Sequence, residues 1–221
     1  MAPLARYDAV AEWYEAYIEG EASAFSETTR GALRRLLGPG SGLCLDLGCG
    51  TGFYAEGLRA LGWTPVGMDV SWQQLLRARR RLACAQADVE RLPVGSASVE
   101  AAASILIHTD VDDYAAACHE AARVLRPGGR FVHIGVHPCF TGWFADRSNP
   151  SGILISPGYW NHDRHFEAWS PRGVRARVGA THLPLSDLLN GLVSAGLTVT
   201  DVYEAGEPTP ALLGIAAVRT S

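Results

Sequence analysis

The stretch that most limits how this chain can fold is residues 43–52, where an apolar run leads into Gly48-Cys49-Gly50-Thr51-Gly52. Glycines at alternate positions let the backbone turn sharply and approach a ligand closely, which a Cβ would block. A second apolar run, 65–69, ends on Asp69. A carboxylate at that place can accept hydrogen bonds from a ribose diol. Together the two features put an adenosine-type ligand on the carboxyl edge of a parallel sheet.

The register of the glycines narrows the ligand. A dinucleotide-binding loop reads Gly-x-Gly-x-x-Gly, and its third glycine lets helix and strand pack closely. Counted from Gly48, that glycine would fall on Phe53. Nicotinamide and flavin dehydrogenases are therefore disfavoured. Asp88 closes the next strand in the same way as Asp69, so successive strands end in acids.

Helical spacing of Val10, Trp13, Tyr14, Tyr17 and Ile18 predicts a helix over 7–19, and a second is expected over 26–37. Strands are expected at 43–47, 65–69, 84–87, 99–107 and 130–136. Ser71 and Gln74 have capping-box spacing before a helix carrying Arg77, Arg79, Arg80 and Arg81, read as a solvated face. Asp110 is the expected N-cap of a long helix with Tyr114, Cys118, Ala121 and Leu125 inward, stopped by Pro127-Gly128-Gly129. Alternating strands and helices mean a parallel sheet with right-handed crossovers. Residues 137–181 break the rhythm, which marks a lid or binding loop. Ser186 is then expected to cap a helix, followed by a terminal strand pair at 197–203 and 211–218.

With 221 residues the chain suits one domain with one sizeable core. A net charge of −4 argues against nucleic acid as the main partner, because phosphate binding favours a basic face. No apolar run reaches bilayer length and the N-terminus lacks a signal-peptide core, so no membrane partner and a cytoplasmic location are expected. The five cysteines, Cys44, Cys49, Cys84, Cys118 and Cys139, are widely spaced, as reduced thiols would be. All 19 basic residues other than histidine are arginine, which excludes lysine Schiff-base chemistry.

Four blocks in order, 46–52, 67–71, 87–93 and 123–129, resemble the class I S-adenosylmethionine-dependent methyltransferases, of the methyltransferase type 11 kind. The resemblance covers roughly residues 7–136, and the final helix-strand-strand unit also fits. It implies an α/β fold, a three-layer αβα sandwich on a Rossmann-like seven-stranded sheet with an antiparallel terminal strand. Within one domain, 1–40 would be N-terminal helices, 41–136 the cofactor-binding core, 137–183 a substrate lid and 184–221 the terminal helix and strand pair.

The resemblance also implies roles by position. Gly48, Cys49 and Gly50 would surround the methionine moiety, with Asp46 ordering the loop through hydrogen bonds. Asp69 would take the ribose hydroxyls, Val70 and Gln74 would pack near the adenine, and Asp88 and the Val89 amide would read its edge. Ile105 would lie under the sulfonium, and Tyr14 would close the site from the N-terminal helix, although core packing also accounts for it. Gln74 stands where the family has methionine.

The implied reaction is methyl transfer to an oxygen or nitrogen of a small molecule, aromatic or polycyclic in character. His108 is the candidate base, or else a structural histidine oriented by Asp110 or Asp112. His137, Trp143, Tyr159, His165 and His182 are candidates for the acceptor pocket, the competing reading being a satellite core that holds the lid down. No metal is expected, since histidine spacing around His162 and His165 is a weak signal. No Asn-Pro-Pro-aromatic base-flipping motif follows the fourth strand, which also disfavours nucleic acid. Two alternatives remain: an enzyme of this fold that uses the cofactor without methyl transfer, such as a cyclase or decarboxylase, and a non-enzymatic cofactor-binding protein. The sequence leaves the oligomeric state unknown.

Overall fold

A computed structural model describes residues 5–149, 151–169 and 172–220. A 3-10 turn, Asp8–Val10, leads into α1 (Ala11–Glu19) and α2 (Ser23–Leu37). Then come β1 (Leu43–Leu47), α3 (Ala55–Ala60), β2 (Thr64–Asp69), α4 (Trp72–Ala78), β3 (Ala83–Gln86), β4 (Val99–Ile105), α5 (Tyr114–Val124) and β5 (Leu125–Val136). The insertion holds a short hairpin, β6 (Ala145–Asp146) with β7 (Leu154–Ile155), and the single turn α6 (Arg175–Val178). The chain closes with α7 (Leu185–Ser194), β8 (Leu197–Ala205) and β9 (Leu212–Arg219).

The main sheet has seven strands in the order β3-β2-β1-β4-β5-β9-β8. Strands β1 to β5 pair in parallel, and β9 is antiparallel to both β5 and β8, so it is the one reversed strand. Strand alternation divides the core between two faces. Cys44, Ala101, Ala103, Ile105, Val132 and Ile134 pack with Leu33, Leu36 and Leu37 of α2 and Leu58 of α3. Leu45, Ala102, Phe131 and Ile215 pack on the other face, with Ala117, Cys118 and Ala121 of α5 and Leu188 and Leu192 of α7. This is the expected three-layer sandwich. Because β1 to β5 are parallel, their carboxyl ends share one edge, where a ligand site on an open α/β sheet lies.

Local signals failed at several element ends. Asp110 does not cap α5; Asp113 does, its Oδ1 accepting from Ala116 N at 2.9 Å. The chain first turns on Ile107, whose carbonyl accepts from the amides of Asp110 and Val111. Ser186 does not cap α7, which starts after Pro184 with no side-chain cap, while Ser186 donates to Asp187 Oδ1. The fourth strand stops at Ile105 rather than 107, because Leu106 turns out of it at φ +62°. Strand β5 begins at Leu125, ahead of Pro127-Gly128-Gly129, and its register on β4 jumps between the pairs Val99–Leu125 and Ala101–Arg130. Ser71 Oγ accepts from Gln74 N at 3.2 Å, but the amide of Ser71 goes to Asp69, so only half of the capping box forms. Arg77 and Arg81 are not merely solvated, since both pair with Glu15 of α1.

Among the described residues no helix is long and apolar enough to cross a membrane. Phe131, 2% exposed, is among the largest side chains between the sheet and α5. Phe131→Ala should cost about 3–5 kcal/mol in urea unfolding, the range for emptying such a site. A loss below about 1 kcal/mol would mean that this face is not close-packed.

Candidate active site

The carboxyl ends of β1, β2 and β4 open on a cavity of about 240 Å³. All eleven residues expected to hold a cofactor line it. Asp46, Gly48, Cys49 and Gly50 come from β1 and its loop, and Asp69, Val70 and Gln74 from the β2–α4 connection. Asp88 and Val89 follow β3, Ile105 ends β4, and Tyr14 reaches in from α1.

Glycine is needed in the loop for a steric reason. Gly48 sits at φ +64°, and a Cβ there would come within 2.5 Å of Ile107 Cγ2. The loop is held by Asp69 rather than by Asp46. Asp69 Oδ2 accepts from Gly50 N at 2.8 Å and Oδ1 from Ser71 N at 2.7 Å. Burial pushes the Asp69 carboxyl up, and these backbone hydrogen bonds pull against that rise. Asp46 makes no such bond: its Oδ2 is buried without a partner, which corrects the expected loop-ordering role. Burial, and then the neighbouring Asp69, raise the Asp46 carboxyl from its usual 3.8 to about 7.

Other buried polar atoms along this wall also lack partners, namely Thr51 Oγ1 and both side-chain ends of Gln74. Buried donors and acceptors are normally satisfied, so this wall fits a ligand with amino, carboxylate and hydroxyl groups. Cys49 is 7% exposed and burial pushes its thiol up, which suits a small residue in a tight turn rather than a reactive one.

Aromatic rings also line the cavity. Tyr7, Phe53, Tyr54 and Leu106 line it beside Tyr14, and the Tyr7 and Tyr14 rings meet edge-to-face at 5.1 Å. Burial raises the phenols of Tyr7, Tyr14 and Tyr54, the last to about 12. Asp110 is on the lining too, and its Oδ1 accepts from Arg175 Nη1 at 2.7 Å. Burial alone would lower the Arg175 pKa, but Asp110 and Tyr7 more than offset it and the pKa rises. Sequence reasoning missed Arg175, since nothing local marks an arginine whose partner stands 65 positions away.

The candidate base is not on this lining. Beyond the turn at Leu106, Ile107 faces Gly48, while His108 is buried against Gly135 at 3% exposure. Its ring lies 5.1 Å from that of His133, the end of a buried chain of Ser104 Oγ, Tyr114 OH and His133 Nδ1. Burial, and then His133, hold the His108 pKa well below its usual value. His108 Nδ1 is buried without a partner, and neither Asp110 nor Asp112 orients the ring.

The five residues expected to bind the acceptor also lie off the lining. His137 Nε2 is 2.7 Å from Glu204 Oε1, and His165 stacks on Trp143 at 4.1 Å. His182 packs on Phe144 at 4.6 Å and on Tyr159 at 4.8 Å, and the Tyr159 hydroxyl accepts from Leu185 N. These aromatics form the satellite core. His162 lies 3.9 Å from Asp187, apart from the His165 stack.

A carboxyl whose pKa is higher in the folded state binds more protons there, so its burial costs stability as pH rises. For Asp46 that loss should build between pH 3.8 and about 7. Asp46→Asn should flatten this part of the stability–pH curve, measured by urea unfolding at fixed temperature. An unchanged slope would show that the group ionises freely.

A family model described as a methyltransferase domain matches residues 45–133. The chain is 34% identical over 117 residues to the malonyl-(acyl-carrier protein) O-methyltransferase of Serratia marcescens, a match covering 50% of this chain and 46% of that protein. It is 30% identical over 189 residues to a ubiquinone/menaquinone biosynthesis C-methyltransferase of Syntrophotalea carbinolica, covering 74% of this chain and 78% of that one. The matched stretch spans about half the length, or less, of the first curated relatives. An S-adenosylmethionine-dependent methyltransferase structure from Mesorhizobium loti shares the fold at a TM-score of 0.67 and 24% identity, over 87% of this chain and 96% of that one. The glycine loop with its strand-end acids, the unsatisfied polar wall and these likenesses agree: the chain belongs to the S-adenosylmethionine-dependent methyltransferase family.

Proposed function

We propose that the chain transfers a methyl group from S-adenosylmethionine to an oxygen or nitrogen of a small molecule, aromatic or polycyclic in character. The observation that carries this reading is the mixed lining of one cavity, unsatisfied polar atoms together with aromatic rings. Asp46, Thr51 and Gln74 bring unsatisfied polar atoms to the lining, and Tyr7, Tyr14, Phe53, Tyr54 and Leu106 bring aromatic and apolar surface. Aromatic walls with a few polar groups suit a flat ring. The relatives' names span O- and C-methylation, on malonyl-(acyl-carrier protein) and in ubiquinone/menaquinone biosynthesis. The aromatic rings on the lining favour a ring-bearing acceptor over a carrier-protein arm.

In this reading Asp46 Oδ2, Thr51 Oγ1 and the Gly48–Gly50 backbone hold the methionine end. Each Asp69 oxygen accepts one backbone hydrogen bond and has a second lone pair left for a ribose hydroxyl. Val70 and Val89 flank the adenine, and Asp88 accepts from its amine. The bound cofactor supplies an electrophilic methyl on a sulfonium, which leaves as a neutral thioether without help from an acid. The protein's own part is alignment, worth up to roughly 7–11 kcal/mol when both reactants are well held. Tyr14 stays protonated and donates a hydrogen bond to the acceptor, while the Tyr7 proton is held by Asp110. Asp110 on the lining orients a hydroxyl or amine hydrogen, and the proton lost on methylation leaves to water.

Asp69→Ala should weaken S-adenosylhomocysteine binding at least about tenfold by calorimetry, the scale of losing one charge-assisted hydrogen bond. Unchanged affinity would remove the ribose assignment. Incubation with methyl-labelled cofactor and a panel of catechols, quinols and aromatic amines should move label into at least one of them. Tight S-adenosylhomocysteine binding with no label moved in the whole panel would favour use of the cofactor without methyl transfer.

A further inference from the structure

The N-terminal segment is tied down by two separate sets of contacts, one to the cofactor side of the fold and one to the insertion. On the cofactor side, Asp8 Oδ1 accepts from Ser71 Oγ at 2.7 Å and from Gln73 N at 3.1 Å. Glu15 pairs with Arg77 and Arg81, and Glu19 with Arg81. From the insertion, three arginines reach the same N-terminal region. Arg172 lies 3.4 Å from Glu21, Arg177 stacks over the Trp13 ring at 4.2 Å, and Arg175 bonds both Asp110 and the Tyr7 hydroxyl.

These three links are unequal. Arg172 and Glu21 are 82% and 50% exposed, and an exposed pair contributes little. Arg175 and Asp110 are 9% and 18% exposed, so breaking that pair strands a buried charge. The Tyr7 hydroxyl donates to Asp110 Oδ2 at 3.3 Å, which joins the N-terminal segment to the ion pair. Tyr7 and Asp110 both line the cavity.

We propose that Arg175 is a positioning residue that straps the N-terminal segment over the cavity, holding Tyr7 and Tyr14 in place through Asp110, so that ligand exchange requires this ion pair to part. The insertion then serves the site through one arginine, while its aromatic cluster anchors the insertion itself. This strap rests on the reading of the cavity as the cofactor and acceptor site only in what it predicts for ligand release.

The test compares the wild-type chain with Arg175→Met, Arg175→Lys and Tyr7→Phe. Two measurements are made: hydrogen exchange of residues 7–19, and the dissociation rate of S-adenosylhomocysteine. Arg175→Met should speed exchange in 7–19 while leaving β1, β4 and β5 protected. It should release S-adenosylhomocysteine about tenfold faster, the scale of a lost charge-assisted hydrogen bond. Arg175→Lys should restore part of both effects, and Tyr7→Phe should give a smaller change of the same sign. If Arg175→Met does not fold, the lysine and phenylalanine variants decide. Wild-type exchange in 7–19 across the folded variants would overturn the strap, as would exchange that rises evenly through the whole sheet. A wild-type protein that does not bind S-adenosylhomocysteine would instead overturn the cofactor reading, leaving the exchange data to judge the strap alone.

Discussion

The Asp69 carboxylate joins the parts on which the site depends. One oxygen holds the amide of Gly50 and the other the amide of Ser71, so the loop after β1 and the start of α4 are fixed to a single side chain. That arrangement needs β1 and β2 to be parallel neighbours in the observed register, with Leu47 beside Met68. It also needs Gly48 to lack a Cβ, because Ile107 occupies the space. Sheet topology, loop conformation and ligand wall are therefore one constraint seen at three scales. A carboxylate accepting backbone amides costs less to bury than a bare one, which lets Asp69 be half-buried while still facing the cavity.

Asp46 shows the opposite arrangement in the same wall. It is 1% exposed with one oxygen unpaired, and its pKa is raised to about 7. Such a group lowers the stability of the free protein, and a cationic ligand relieves that cost. Placed beside Thr51 and Gln74, whose side chains are also unsatisfied, it gives the cavity lining hydrogen-bonding capacity for a polar ligand. Strain of a second kind sits at Leu106, whose left-handed backbone turns Ile107 toward the glycine loop and sends His108 away from the lining.

The cofactor wall was legible in the sequence because its parts are local. Each acid or glycine sits at the end of a strand whose apolar run can be read directly, and parallel pairing brings those ends to one edge. The aromatic part of the lining was not legible for the complementary reason. The aromatic and histidine-rich insertion has a composition that suits a pocket, yet Trp143 stacks on His165 and Phe144 packs on Tyr159 and His182. Composition cannot tell a ring that faces a ligand from a ring that faces another ring. Nor does an arginine in an irregular stretch announce a partner such as Asp110, far off in the sequence.

The sequence alone determined the strand-helix alternation, the glycine loop, the acids that end β2 and follow β3, and hence the donor side of the chemistry. These follow from periodicity and from the conformational freedom of glycine, which act over a few residues. Tertiary structure decided which side chains face the remaining space. It withdrew His108 behind a turn, packed Trp143, Phe144 and Tyr159 of the insertion against one another and against His165 and His182, and brought Tyr7, Tyr14 and Asp110 together under Arg175. Those outcomes depend on packing between separate segments, some of them as far apart as Arg175 and Asp110, for which no local pattern in the chain carries the information.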